Sequence, residues 1–129
     1  MRQPRWLDRK QCAAIHEMIL AQYGGLPGIR DEGLLESALA KPRNLFAYSS
    51  PNLADLAASS ASGIVRNHPF LDGNKRTGFM LAVIFLELNG FLFTATEESV
   101  VQNTLALAAG KLKVSGYAGW LKNNLARKP

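Results

Sequence analysis

Cysteine occurs once in this chain, at Cys12, and histidine only twice, at His16 and His68. A lone cysteine excludes an internal disulfide and any zinc site built from several thiolates. Cys12 falls among Ala13, Ala14 and Ile15, which reads as a buried structural thiol. Two histidines without a paired-His motif argue against a zinc hydrolase. No Gly-x-Gly-x-x-Gly occurs. One segment, Gly73-Asn74-Lys75-Arg76-Thr77-Gly78, has the glycine spacing of a P-loop, but Phe79 and Met80 follow where Lys and Ser or Thr are required. Long apolar runs are also missing: Gly78 to Leu88 is roughly half of what a bilayer span needs. The start, Met1-Arg2-Gln3-Pro4-Arg5-Trp6, lacks the apolar stretch of a signal peptide, so a cytoplasmic protein is expected. Repeats, linkers and low-complexity blocks are absent.

What remains is an ordinary globular composition. The 129 residues are 47% hydrophobic and 19% charged, which suits one domain over 1–129 with one core. The net charge of +5 favours an acidic partner: a nucleotide, an acidic protein or antagonist peptide, or nucleic acid. Much of the excess lies near the ends (Arg2, Arg5, Arg9, Lys10; Lys122, Arg127, Lys128), where it also serves solvation.

Periodicity and capping signals predict an all-α fold of about six helices. Asp8 caps a first helix to Tyr23, with Gln11 placed to answer in a capping box and Gly24-Gly25 stopping it. Its Ile15, Met18, Ile19 and Gln22 recur at helical spacing. His16 lies inside this helix, on the surface or satisfied in the core. Asp31 caps a second helix, Glu32 to Ala40, which Pro42 is expected to end. Asn44 to Asn52 reads as a loop or short hairpin exposing Phe46 and Tyr48, either tucked onto the core or serving as a substrate-contacting flap. Leu53 to Asn67, rich in Ala and Ser, is a helix whose small residues suit a central position. Lys75 to Leu88 is a helix apolar nearly all round and expected to be buried likewise, with Asn89-Gly90 as its left-handed cap. Phe91-Leu92-Phe93 is a short extended piece. Thr94 with Glu97, or Thr96 alone, caps a helix to Ala109. Ser115 opens a last one carrying Tyr117, Trp120, Leu121 and Leu125.

The densest chemistry lies in His68-Pro69-Phe70-Leu71-Asp72-Gly73-Asn74-Lys75-Arg76-Thr77, a polar loop running into the apolar helix. Free N–H groups and the positive dipole end make a helix start an anion site. Cations there are unfavourable unless an anion arrives, so Lys75 and Arg76 point to bound phosphate. The imidazole of His68 can take a hydroxyl proton. Asp72 offers a hard oxygen to Mg²⁺, which favours one or two carboxylates plus phosphate oxygens. Gly73 lets a ligand approach the backbone. Asn74, Lys75 and Arg76 supply donors and charge around the phosphates, Arg gripping two oxygens and Lys acting as a point charge. Base, metal ligand and anion clamp are what phosphoryl or nucleotidyl transfer requires. Arg66 adds charge to the site or is a plain surface arginine.

The stretch His68 to Arg76 resembles the signature of the Fic/Doc superfamily, His-x-Phe-x-Asp/Glu-Gly-Asn-Gly/Lys-Arg. Tyr23-Gly24-Gly25-Leu26-Pro27-Gly28-Ile29-Arg30-Asp31 and Thr77 extend the similarity to the death-on-curing (Doc) branch, toxins of bacterial toxin–antitoxin pairs. The resemblance implies a compact helical domain, with His68 as base, Asp72 as Mg²⁺ ligand and Gly73, Asn74, Lys75 and Arg76 as phosphate cradle. Phe70 would anchor the loop. Fic-type members transfer AMP, with glycine where this chain has Lys75 and usually a second arginine at Phe79. Doc-type members carry the lysine and transfer the γ-phosphate of ATP, elongation factor Tu being the target of the type member. A phosphotransferase acting on a Thr or Ser hydroxyl is therefore expected, with an antitoxin whose flexible segment folds into a groove. Gly73 is a Fic-like departure, since the type member of the Doc branch has alanine there; AMP transfer is the alternative. A second alternative, a catalytically silent basic binding module, is disfavoured by the intact polar set and by the lack of a nucleic-acid recognition motif. In Thr94-Ala95-Thr96-Glu97-Glu98, Ser99 follows where a self-inhibitory element of the Fic type has Gly or Asn, so inhibition is expected from another chain.

Overall fold

Local capping sets the chain's first turns, and small residues then set how closely its helices approach. The computed structural model describes residues 3–129; Arg2, counted above with the basic residues, lies outside them. In chain order the elements are α1 (Arg9–Tyr23), α2 (Glu32–Tyr48), α3 (Leu53–Asn67), α4 (Asn74–Leu88), β1 (Phe91–Phe93), α5 (Glu97–Ala108), α6 (Val114–Lys122) and β2 (Leu125–Arg127). The fold is all-α in class. Its two three-residue strands pair antiparallel, Phe91 opposite Arg127 and Phe93 opposite Leu125.

Asp8 and Gln11 form the expected capping box at α1, and Asn52 with Asp55 forms another at α3. Of the predicted apolar face of α1, Ile15 and Ile19 are buried, whereas Met18 is half exposed. The interior of α3 runs from Leu56 to Val65 without an exposed residue. Gly63 sits so close to α2 that a Cβ there would meet the Ala38 Cβ at 2.6 Å. Gly78 of α4 faces Val65 and the Ala61 carbonyl as tightly, at 2.5 and 3.0 Å. One apolar cluster joins α3 and α4 to α5 and α6 through Leu56, Ala61, Leu86, Leu107, Tyr117 and Leu121. A second joins α1 and α2 to the loop before α4 through Cys12, Leu35, Ile64, Phe70 and Leu81. Burial pushes the Cys12 thiol up to about 11, against the opposing pull of Arg9, as befits an inert core thiol.

Four expectations need correction. Pro42 does not end α2; the helix runs on to Tyr48. Leu35, Ala38, Pro42 and Leu45 keep helical spacing along one face, and Leu45 and Phe46 pack on the core beyond the proline. That burial outweighs the loss of one N–H, about 3 kcal/mol in an ordinary helix interior. The segment 44–48 is accordingly neither loop nor hairpin, and only Tyr48 of its two aromatics is fully exposed. Leu125 belongs to β2 rather than α6, because the Asn124 carbonyl accepts from both Thr94 N and Thr94 Oγ1 and draws the chain alongside β1. That bond also leaves the cap of α5 to Thr96. Finally, α4 is not buried all round: Phe79 and Met80 stay half-buried along a groove, and Leu88 is exposed.

Candidate active site

The loop between α3 and α4 is bound on every side. His68 caps the C-terminus of α3 at φ +52, the single non-glycine residue in the left-handed region among the described residues. Arg30 makes this possible. Its Nε donates to the His68 carbonyl and its Nη2 to the Asn67 carbonyl, both at 2.7 Å. Two orphan carbonyls of a helix end are thereby satisfied by a cation at the negative pole of the dipole. The Pro69 carbonyl accepts from Arg30 N (2.7 Å) and Asp31 N (3.0 Å), and Leu71 N donates to Gly28 O (3.1 Å). The His68 imidazole itself stands exposed.

Inside the loop, Phe70 is 1% exposed and stacks on the His16 ring, with centroids 3.8 Å apart. Asn74, also buried, turns both ends of its amide to Phe70: Oδ1 accepts from Phe70 N at 3.0 Å and Nδ2 donates to Phe70 O at 2.9 Å. Its side chain thus staples the loop, and its backbone N–H is left to face a ligand. Asp72 is exposed. Its Oδ1 accepts from Gly73 N (3.0 Å) and its Oδ2 from Leu26 N (3.2 Å). Gly25 lies beside it at φ +128, a conformation that favours glycine, and a Cβ there would come within 2.9 Å of Oδ2. The carboxylate keeps free lone pairs towards solvent. No group of three or more His, Cys, Asp and Glu side chains converges among the described residues. A cation here would have one protein carboxylate and would need ligand oxygens, a pattern that suits Mg²⁺ with phosphates.

Gly73 is the N-cap of α4 at φ +75 and brings no side-chain cap. The first backbone bond of the helix runs from Thr77 N to Gly73 O (3.0 Å), so the N–H groups of Asn74, Lys75 and Arg76 precede the intrahelical ladder. Lys75 and Arg76 are exposed at this positive helix end. The Arg76 guanidinium lies 4.0 Å over the Tyr23 ring, a cation–π contact that holds it near the helix start. From these two cations a groove of about 480 Å³ leads along Phe79, Met80, Phe93, Val101 and Leu105.

The structure therefore places Asp72, Gly73, Lys75 and Arg76 at one uncapped helix start, with His68 exposed where the same loop leaves α3. Arg66 is exposed, and its guanidinium reaches the α5–α6 turn at Gly110. Three further contributors escaped the sequence reading: Arg30, His16 and Tyr23. Arg30 and Tyr23 lie within the stretch Tyr23 to Asp31 singled out above, the one signal that could have found them. His16 is a satisfied core histidine, and its partner is the loop itself.

Known proteins resemble this chain over the same elements. The model of the Fic/DOC family matches residues 6–86, from before α1 into α4 and including the whole loop. Over 119 residues, 92% of this chain and 94% of the relative, the chain is 31% identical to "Protein kinase doc" of Escherichia phage P1. It is 42% identical to "Toxin Doc" of Mycolicibacterium smegmatis over 77 residues, which cover 57% of this chain and 58% of that relative. The chain belongs to the Fic/Doc family, in its death-on-curing branch.

Proposed function

We propose that the protein is the toxin of a toxin–antitoxin pair and transfers the γ-phosphate of ATP to a Thr or Ser hydroxyl of a translation factor, elongation factor Tu being the first candidate. The observation that carries this reading is the uncapped start of α4 with Lys75 and Arg76 at its positive end, one residue beyond the Asp72–Gly73 pair. It is supported by the relatives' names, one a protein kinase and the other a toxin.

In this reading the N–H groups of Asn74, Lys75 and Arg76 and the two cations hold the phosphates of ATP. Asp72 would hold Mg²⁺, which neutralises charge on the phosphate oxygens when bound. His68, exposed at the loop's entrance, removes the proton of the substrate hydroxyl. The new O–P bond forms as the bond to the β-phosphate oxygen breaks, ADP leaves, and the proton stays on His68. The loop's backbone bonds keep these groups in place, and positioning is most of what phosphoryl transfer needs. An antitoxin segment with an acidic end would fit the groove that begins at Lys75 and Arg76. With a translation factor as target, the protein would act in the cytoplasm. No described helix is long and apolar enough to cross a membrane.

AMP transfer is the second reading. Gly73 favours it as the residue of the Fic-type signature; at φ +75 its missing Cβ would face Leu20, Ile19 and His16 of α1. The test is label transfer from ATP, labelled on the α or the γ phosphate, to elongation factor Tu with Mg²⁺, and His68→Ala as control. Label from the γ position alone, lost in the control, is the expected result. Label from the α position makes the protein an AMP transferase, and a His68→Ala variant that folds and still transfers sinks the mechanism.

A further inference from the structure

We infer that His16, on α1, is a positioning residue that aims the Asp72 carboxylate. The inference rests on the reading of Asp72 as the Mg²⁺ ligand. His16 is 5% exposed, and its Nε2 lies 2.9 Å from the Asp72 carbonyl oxygen. A carbonyl only accepts, so Nε2 carries the hydrogen and donates it. The Asp72 carbonyl and the Gly73 N–H belong to one planar peptide unit. Fixing the carbonyl therefore fixes the N–H, which donates to Asp72 Oδ1 at 3.0 Å. One hydrogen bond from α1 thus sets the direction of the side chain that follows it.

The imidazole is in turn kept from rotating. It lies 10° from parallel with the Phe70 ring, at 3.8 Å between centroids. Phe70 is pinned by the Asn74 amide on its backbone. The other hold on the carboxylate, Leu26 N on Oδ2, comes from the glycine-flanked turn after α1, and Gly73 is itself part of the loop. His16 is the tie from a regular helix. Without it, the 72–73 peptide can swivel about the bonds that flank it, and Gly73, at φ +75 with no Cβ, offers little resistance.

The test compares His16→Phe, which keeps a ring for the Phe70 stack and removes the donor, with His16→Gln, which restores a donor without the ring. Three quantities are read: melting temperature, hydrogen exchange of the Phe70, Leu71 and Gly73 amides, and the Mg²⁺ dependence of γ-label transfer. In His16→Phe, exchange at these amides should rise about tenfold, the worth of one net hydrogen bond. The half-saturating Mg²⁺ concentration should rise by roughly 10- to 100-fold, the usual effect of losing an outer-shell partner, with a smaller change in rate at saturating Mg²⁺. His16→Gln should recover part of both. Unchanged exchange, or an unchanged Mg²⁺ requirement in an active enzyme, overturns the inference. So does global unfolding of both variants, which would make His16 a core residue of general structural role. If exchange rises while the wild-type protein transfers no label at all, the positioning stands and the transfer reading falls.

Discussion

Asn74→Ala is the sharpest probe of the loop. The substitution deletes both hydrogen bonds between this buried amide and the Phe70 backbone, at 3.0 and 2.9 Å. Among the described residues neither Phe70 group has another partner, and Phe70 is 1% exposed, so both would be left in a dry site. Each buried backbone group without a partner costs about 1–3 kcal/mol. Alanine's better helix propensity at the first position of α4 returns only a few tenths of about 1 kcal/mol. The expected net loss is about 2–5 kcal/mol, a large share of the roughly 5–15 kcal/mol of a typical domain. Because the loop joins α3 to α4, the most extensively packed pair of helices, the loss should register in global urea unfolding followed by helical circular dichroism. Asn74→Asp is the companion variant: it can still accept from Phe70 N but sets an oxygen against the Phe70 carbonyl, so it should recover only part of the loss. An Asn74→Ala protein within about 0.5 kcal/mol of wild type, the range of ordinary surface changes, would refute the reasoning.

Gly63→Ala should lower the melting temperature even though alanine favours helix by about 1 kcal/mol, because overpacking costs roughly 1–3 kcal/mol. The new Cβ would lie 2.6 and 2.8 Å from the Ala38 Cβ and Cα. Adding Ala38→Gly should restore part of the loss, and no recovery in the double variant would mean that the helices do not meet there. Alkaline unfolding offers an independent check. Burial, opposed by the Thr104 hydrogen bond, raises the Tyr117 hydroxyl from 10.0 to about 12, and burial raises Cys12 from 9.0 to about 11. Both groups are held neutral by the fold, so their stabilisation is complete below their unfolded values and is lost as pH rises through the folded ones. The urea midpoint should hold up to about pH 9 and then fall. A phenolate absorbance step should coincide with loss of helix, and a Tyr117 that ionises while the helices remain intact would contradict its burial.

Much of this was legible in the sequence where the relevant physics is local. The Asp8–Gln11 box, the Gly90 cap at φ +101 and the small-residue face of α3 all depend on neighbours within a turn or two. The conjunction of His68, Asp72, Lys75 and Arg76 is contiguous in sequence and so was visible there too. What escaped depends on distant partners. Pro42 reads as a breaker until the apolar face beyond it finds a core to bury against. Leu125 continues a helical pattern, yet the bonds that Thr94 donates to the carbonyl of Asn124, 30 residues on, draw it into a strand. Arg30 looks like a surface cation because the carbonyls it satisfies lie 37 and 38 residues on. Asn74 shows a different limit. Its place in the motif suggests a phosphate donor, but the amide is already engaged on the loop's own backbone.

The close crossings at Gly63 and Gly78 bear on how this scaffold can diversify. They lock α3 to its neighbours at separations that only a missing side chain allows, and the loop starts on α3 and ends on α4. Its two ends are therefore fixed posts, and the loop cannot be retuned by sliding a helix. A change of chemistry must come from exchanging side chains at unmoving addresses, such as those of Gly73 and Lys75. Lineages built on such a frame should differ in the chemistry of this loop long before they differ in the path of the chain.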